Sequence, residues 1–371
     1  MYLGTMKGGR VSEFLRSLFF LKFVPGYNRG PQERGNSVRE FSMIGRREIA
    51  KLAGVSTTTV TRVLSKKGSV SPETEERVHS VIRQTGYTPN NLASNLSRNN
   101  RSNIIVLLVP DMTNYYYMEM FDAMMKAARN FRAIISIYSL SATNANEVVE
   151  EVVANRVSGI VNMGLVPLTH DCLRRVDSAG IKFIHSGIRG REDCDFHIDY
   201  KKAMMAAVRH LKATGCQKIG FLFGMKEKLL HDEKIVCFRR AMAECGYEEP
   251  DILRGAYPGV PAATLGYSKV KKLYENGATP YDALFCLNDM MAVGAIRALQ
   301  DCGKRVPEDV SVIGFDNIKL GRYFKPSIAT LCGDIQEEAK AYVQYCLGEG
   351  PAPVEVRASF LPRESVRQTK D

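Results

Sequence analysis

Apolar and polar positions follow three regimes along the chain. Through residues 1–42 no period of 3.6 or 2 is sustained, and only 11–23 carries enough apolar residues for a short helix. The remainder of that stretch, with its Gly, Arg and Pro, predicts a segment that builds no core. From Arg46 the period becomes helical. Ile49, Ala50, Leu52 and Ala53 predict one helix, Gly54 ends it, Ser56 offers an N-cap, and Val60, Val63 and Leu64 resume the spacing. A third helix opens with Ser71 as cap and Pro72 at its first position. Glu73, Glu75 and Glu76 stand near the positive dipole end, and Val78, Val81 and Ile82 carry the helix to Gly86. Two short helices joined by Ala53-Gly54-Val55-Ser56 and followed by a third predict a helix-turn-helix. Residues 91–98 also have helical spacing, but only Leu92, Ala93 and Leu96 are apolar. Alone in water such a helix is marginal, so the stretch is a plain linker or a helix that forms against a partner.

From Asn103 onward the pattern is α/β. Ile104-Ile105-Val106-Leu107-Leu108-Val109 is an unbroken apolar run, as in a strand buried on both faces. The pattern then predicts a helix at 117–130, a strand at 133–140, a helix at 146–155 and strands at 159–163 and 181–185. A second series follows: helix 200–213, strand 219–223, helices 234–245 and 263–276, and strands 283–287 and 310–315. Two successive β-α series predict two doubly wound parallel sheets, and a ligand is expected off the carboxyl ends of their strands, between two lobes.

Charge divides the chain differently from hydropathy. Of the 51 Lys+Arg and 40 Asp+Glu, residues 1–102 hold 17 and 7, a net of +10, while residues 103–371 hold 34 and 33, a net of +1. A basic module on a neutral body is the footprint of polyanion binding. The 9 Cys are scattered with no Cys-x-x-Cys, which argues against a disulfide framework or structural zinc and for a reducing cytoplasm. No apolar run approaches the roughly 20 residues of a membrane span. The run at 18–24 is broken by Lys22 and lacks a small-residue cleavage site, so it does not read as a signal peptide.

Catalytic and cofactor motifs are missing. There is no Gly-x-Gly-x-x-Gly after a strand, no Gly-x4-Gly-Lys-Ser/Thr, no His-Glu-x-x-His and no Gly-x-Ser-x-Gly. The 6 His have no ligand spacing; His185 and His197 fall near strand ends, where a satisfied or exposed histidine is the ordinary reading. Asp289 and Asp316 both follow strands, but with no nucleophile or metal motif beside them they suggest binding rather than acid–base chemistry. The residues therefore specify no enzyme, no metal and no cofactor.

Over 43–371 the chain resembles the lactose-repressor (LacI/GalR) family of bacterial transcription regulators. The resemblance rests on Glu48-Ile49-Ala50-Lys51-Leu52-Ala53-Gly54-Val55-Ser56, Thr59-Val60-Thr61-Arg62-Val63-Leu64 and Gly86-Tyr87-Thr88-Pro89-Asn90. It continues through Arg156-Val157-Ser158-Gly159-Ile160, Asn288-Asp289-Met290-Met291-Ala292-Val293-Gly294, Val306-Pro307-Glu308-Asp309-Val310-Ser311-Val312-Ile313-Gly314-Phe315-Asp316 and Pro326-Ser327-Ile328-Ala329-Thr330, in order and spacing.

The resemblance implies an all-α helix-turn-helix head on a two-lobed, periplasmic-binding-protein-like α/β core. On that plan 1–42 is a basic arm or an overlong gene start, 43–90 the DNA-binding domain and 91–102 the hinge helix and linker. Residues 103–371 are then the effector-binding and dimerisation core, with a first lobe mainly at 103–200, a second mainly at 201–330 and a further crossing after 330. The implied partners are double-stranded DNA with a palindromic operator, a second copy of the chain, and a small effector, a sugar first and a nucleobase-like ligand second. No heptad extension precedes Asp371, so the expected assembly stops at the dimer. Three departures bear on the effector: the family's Asn-Pro-Phe-Phe is Asn114-Tyr115-Tyr116-Tyr117, its effector-binding arginine aligns with Lys234, and a frequent acid after the third core strand aligns near Gly187.

Site residues follow from these placements. A second helix in the major groove presents Thr57, Thr58 and Arg62 to base edges, with Ser56 and Thr61 as phosphate contacts. Asn91, Ala93 and Leu96 form the minor-groove hinge, with Leu96 as a wedge. Tyr116, Tyr117, Lys234, Tyr257, Asn288 and Asp316 form the effector site, the tyrosines as flat faces and the others as hydrogen-bonding groups. A solute-binding protein shares the core fold and is the rival reading; the basic head and the lack of a signal peptide speak against it.

Overall fold

A computed structural model describes residues 45–65, 69–87, 102–141, 143–163, 168–186, 195–225, 232–257, 259–353 and 355–368. Residues 1–42 and 91–98, including Asn91, Ala93 and Leu96, lie outside the described residues. The chain divides into two units between residues 89 and 90.

In the first unit, α1 (Arg46–Ala53), α2 (Thr57–Ser65) and α3 (Pro72–Thr85) enclose a core of Ile49, Ala50, Ala53, Val60, Val63 and Val78. Gly54 closes α1 at φ 64°, donating to the carbonyls of Ala50 and Lys51, and Val55 donates to Ala50 O at 2.9 Å. A side chain in that left-handed conformation costs roughly 1–2 kcal/mol, so the turn calls for glycine. Ser56 caps α2 by accepting the Thr59 N–H at 3.0 Å, and Ser71 caps α3 by accepting from Thr74 at 3.4 Å. Leu52 departs from expectation and is 58% exposed. It stands about 200° around the helix from Ala50, away from the buried face.

Among the described residues, the second unit holds two six-stranded sheets. The first lobe contains β1 (Ile104–Val109), α4 (Tyr115–Ala128), β2 (Ile134–Ser139), α5 (Ala145–Ala154), β3 (Gly159–Asn162), α6 (His170–Ser178), β4 (Lys182–Ser186) and β5 (Asp195–Asp199). The second contains α7 (Lys201–Ala213), β6 (Ile219–Leu222), α8 (Glu233–Glu244), β7 (Ile252–Leu253) and α9 (Ala262–Tyr274). It continues through β8 (Ala283–Cys286), α10 (Asp289–Asp301), β9 (Ser311–Phe315) and β10 (Ala329–Cys332). The chain then returns to the first lobe with α11 (Ile335–Leu347) and β11 (Glu355–Arg357), and ends in the second with β12 (Ser359–Leu361). Three segments therefore pass between the lobes.

Strand order is β11-β5-β4-β3-β1-β2 in the first sheet, all parallel, and β12-β10-β9-β8-β6-β7 in the second, with only β12 antiparallel. In both sheets the strand that opens the lobe lies inside the order, creating a switch point at its carboxyl end. The unbroken apolar run of β1 has its reason in two cores. Ile105, Leu107 and Val109 pack with α4 and α11, while Val106 and Leu108 pack with α5 and α6. The expectation that the second series ends with the strand at 310–315 is corrected: β5, β7, β10, β11 and β12 were not expected, nor were α6, α10 and α11. Apart from β10, these strands have few buried side chains, so their hydropathy carries little signal.

Candidate functional site

On the first unit the exposed side of α2 carries Thr57, Thr58 and Arg62, while Val60 and Val63 point into the core. Residues 57, 58, 61 and 62 fall on one side because each step turns the helix by about 100°. The two expected phosphate contacts are already engaged. The Ser56 hydroxyl accepts the Thr59 N–H and lies 2.9 Å from the Thr59 hydroxyl. Thr61 Oγ1 donates to Thr57 O at 2.9 Å, a bond it would have to release to donate to a phosphate. Sequence patterning identified the positions, but it does not report how a hydroxyl is spent.

In the second unit the fold brings Lys234 within 3.9 Å of Asp316 and within 3.1 Å of the Leu287 carbonyl, next to Asn288. Asp316 follows β9 at φ 99°, and Asn317 follows it at φ 55°. Non-glycine residues in this region are strained, and such strain is typical of functional sites. The surrounding bonds hold the conformation. Asp316 N donates to Leu331 O at 3.0 Å, and Asn317 N to Thr330 Oγ1 at 3.2 Å. Buried Asp289 accepts from Thr330 Oγ1 at 2.7 Å and from Ile318 N at 2.9 Å. Asp289 is thus a brace for the loop that presents Asp316, not its acid–base partner.

Lys234, near the start of α8, places Nζ 3.9 Å from Asp316 Oδ1, 3.1 Å from Leu287 O and 4.4 Å from the Phe315 ring centroid. Burial raises the Asp316 carboxyl to about 6, with Lys234 opposing the shift. Asn288 caps α10 by accepting the Met291 N–H at 2.8 Å. Its oxygen is committed to the helix, so what it adds to a ligand is chiefly its Nδ2 donor.

The tyrosines depart further from expectation. Asn114 caps α4 by accepting from Tyr116 N at 3.1 Å, which fixes the helix start at the departure from the family's Asn-Pro-Phe-Phe. Tyr116 donates its hydroxyl to Glu338 at 3.3 Å. Tyr117 is 8% exposed within the first lobe's core, and Tyr257 is 4% exposed, so neither offers an open ring face. The Tyr257 hydroxyl is buried near Asn114 and Tyr117, close enough to perturb Tyr117 but without a well-directed hydrogen bond. A direct link between the lobes is the Lys319 N–H donated to Glu119 at 2.7 Å.

Sequence reasoning missed Glu338 and Tyr200. Glu338, on α11, is 1% exposed; burial raises its carboxyl to about 8, and Asp316 adds to the shift. A signal was present, since Glu338 lies four residues before buried Tyr342 on the same helical side. Tyr200, before α7, has the Lys234 ammonium 5.5 Å from its ring centroid. A separate groove of about 360 Å³ between α7 and α8 is lined by Lys201, Lys202, Arg209 and Arg240 among others, and includes none of the cleft residues. Among the described residues there is no group of His, Cys, Asp and Glu that could hold a metal, and no helix long and apolar enough to cross a membrane.

Comparison with known proteins agrees with this architecture. Residues 47–90 match the bacterial regulatory proteins of the lacI family, and 208–367 match a periplasmic binding protein-like domain. The HTH-type transcriptional regulator AscG of Escherichia coli (strain K12) is 32% identical over 291 residues, covering 76% of this chain and 85% of the relative. The HTH-type transcriptional repressor PurR of Vibrio parahaemolyticus serotype O3:K6 (strain RIMD 2210633) is 33% identical over 298 residues, covering 77% and 85%. Among solved structures, the lac repressor dimer bound to operator and the anti-inducer ONPF superposes with a TM-score of 0.72 at 22% identity, covering 87% of this chain and 98% of that one. With its head, its doubly wound lobes and these relatives in agreement, the chain belongs to the lacI family of bacterial regulatory proteins.

Proposed function

We propose that the protein is a cytoplasmic, sequence-specific transcriptional repressor that binds a palindromic operator as a homodimer and is controlled by a small polar effector held between its lobes. The observation that carries the reading is the pairing, in one chain, of a helix-turn-helix with exposed Thr57, Thr58 and Arg62 and a cleft lined by Lys234, Asn288 and Asp316. Arg62 can give a guanine edge two parallel hydrogen bonds, and the threonines suit thymine methyls or polar edges. In the cleft, a carboxylate, an ammonium and an amide donor are the groups that orient a hydroxyl-rich ligand. Large apolar side chains left in solvent support the homodimer: Met112, Tyr115, Met125 and Ile134 on the first lobe, Leu320 and Tyr323 on the second. Ligand contact with both lobes changes their closure, and closure is the two-state element that biases operator affinity.

Fluorescence anisotropy against DNA upstream of the protein's own gene, with competitor DNA at physiological salt, tests the reading. Operator-specific binding is expected. Asp316→Ala is expected to keep that affinity and lose the effector response; a normal response at the same ligand concentration would remove Asp316 from the site.

A further inference from the structure

Two helices of the second lobe, α7 and α8, form a groove of about 360 Å³ that shares no lining residue with the cleft. Its charge is one-sided. Lys201, Lys202 and Arg209 line it from α7, a helix with no acidic residue, and Arg240 lines it from α8. Arg240 is neutralised within its own helix by Glu244, at 2.6 Å. Among the described residues the other three make no ion pair. By contrast, exposed Arg297 and Arg305 of the same lobe each hold a carboxylate, at 2.9 Å and 2.8 Å. Lys201 and Lys202 also stand in the first turn of α7, the positive end of the helix dipole, where a cation is disfavoured.

The unpaired cations fall into two places. Lys201 and Lys202 stand at one end of the groove, and Arg209 lies on the same side of α7 two turns on, about 10–12 Å along the helix axis. Between them the floor is apolar, made by half-buried Met205 of α7 and by buried Cys237 and Ala241 of α8. We propose that this groove is a second ligand site, which takes an elongated small molecule with a phosphate at each end and a less polar body between. The ammoniums of Lys201 and Lys202 meet one phosphate as point charges, and the planar fork of Arg209 matches two oxygens of the other. The volume falls within the range of small-molecule sites. Tyr200 immediately precedes Lys201, and its ring centroid lies 5.5 Å from the Lys234 ammonium of α8. The two helices that form the groove therefore also begin beside the residues of the cleft, so a ligand that bridges them acts on the element that carries Lys234. The site itself does not depend on what the cleft binds.

Isothermal titration calorimetry on the full chain tests this with hexane-1,6-diol bisphosphate, whose phosphates can reach both groups of cations, beside hexyl phosphate and pyrophosphate, which cannot. The bisphosphate is expected to bind roughly fivefold or more tightly than either, the gain from pairing charges at a second exposed end. Arg209→Ala is expected to bring the bisphosphate down to the affinity of hexyl phosphate. Lys201→Ala together with Lys202→Ala is expected to weaken all three ligands. Alanine at these exposed helical positions does not threaten folding. Equal affinity for the bisphosphate and hexyl phosphate overturns the two-ended ligand. Absence of binding, or binding that neither variant changes, overturns the site, the anion in the second case being held by the basic head. Hexaglutamate that binds more tightly than the bisphosphate, and loses that affinity in Arg209→Ala, overturns the small-molecule ligand in favour of an acidic protein segment.

Discussion

Replacing Asp289 with alanine is expected to damage the second lobe and the effector response together. The carboxylate accepts the Thr330 hydroxyl at 2.7 Å and the Ile318 N–H at 2.9 Å, and both partners are fully buried. Without it two donors lose their acceptor away from water. Each stranded group costs about 1–3 kcal/mol, so the loss is about 2–6 kcal/mol. Burial holds the Asp289 carboxyl far above its ordinary range, so removing it relieves part of that desolvation, which favours the lower half of the interval. The damage spreads because Thr330 Oγ1 also accepts the Asn317 N–H, and Asp316 and Asn317 occupy strained conformations that nearby bonds maintain. Asp289→Asn keeps one acceptor and is expected to lose less. Urea unfolding followed by circular dichroism measures the stability, and operator binding with and without effector measures the coupling. If Asp289→Ala lies within about 0.5 kcal/mol of the parent, the scale of an ordinary surface change, the brace does not exist. If stability falls while the effector response is unchanged, the loop is not what positions Asp316.

Gly294→Ala should destabilise the second lobe by about 1–3 kcal/mol. An added methyl would meet Tyr267 N at 2.7 Å and the carbonyl of Ala263 more closely still, outweighing the helix-propensity gain; an unfolding midpoint at or above the parent's would refute the close crossing of α9 and α10. Glu338 binds its proton up to pH about 8 in the native protein, against an ordinary value of 4.5. The native state thus holds more protons than the unfolded state between those limits, so stability should fall as pH rises from 4.5 to 8, and Glu338→Gln should flatten the profile in thermal unfolding. Arg62→Ala should cost about 1–3 kcal/mol of discrimination at one base pair of each half-site, read from a panel of single-base operator variants. Thr61→Val should leave operator affinity nearly unchanged if its hydroxyl stays with Thr57 O, whereas Ser56→Ala should lower head-domain stability by about 1 kcal/mol through the lost cap.

How much could be read from the sequence differs from element to element for physical reasons. Some elements that bury a full face announced themselves, β1 through its unbroken run and the head through Ile49, Val60 and Val78 with the Gly54 turn, whereas the equally buried β10 and α10 gave no such sign. Edge elements did not. In β5 the side chains alternate between charge and bulk, with Phe196 buried and His197 bonded to Glu355 of β11 at 3.1 Å, a pairing that appears only once the sheet has formed. In α6 only Cys172 and Val176 are fully buried, with Leu173 packed partly against the core. Among candidate site residues, Asn288 and Asp316 were nominated by their place after β8 and β9, where doubly wound sheets gather ligands, and Lys234 by the family resemblance; the fold brings Lys234 to 3.9 Å from Asp316. Glu338 was hidden by its type, since an acid in a helix ordinarily reads as a solvated residue. What Tyr117 and Tyr257 do with their rings depends on packing between segments far apart in sequence, which no local pattern reports.

The three passages between the lobes set an order of assembly during synthesis. The first lobe's core includes Ala339, Tyr342, Val343 and Cys346 of α11, and its sheet ends in β11, all made after the second lobe's β10. A ribosome moving from the amino terminus therefore displays β1 to β5 for most of translation with one flank of their core open. The lobe that is written first is finished close to last, together with β12 of the other sheet. A nascent chain halted near residue 333 would hold most of the second lobe but expose Met120, Met124 and Ile184 where α11 belongs, a surface that chaperones and proteases read as unfinished.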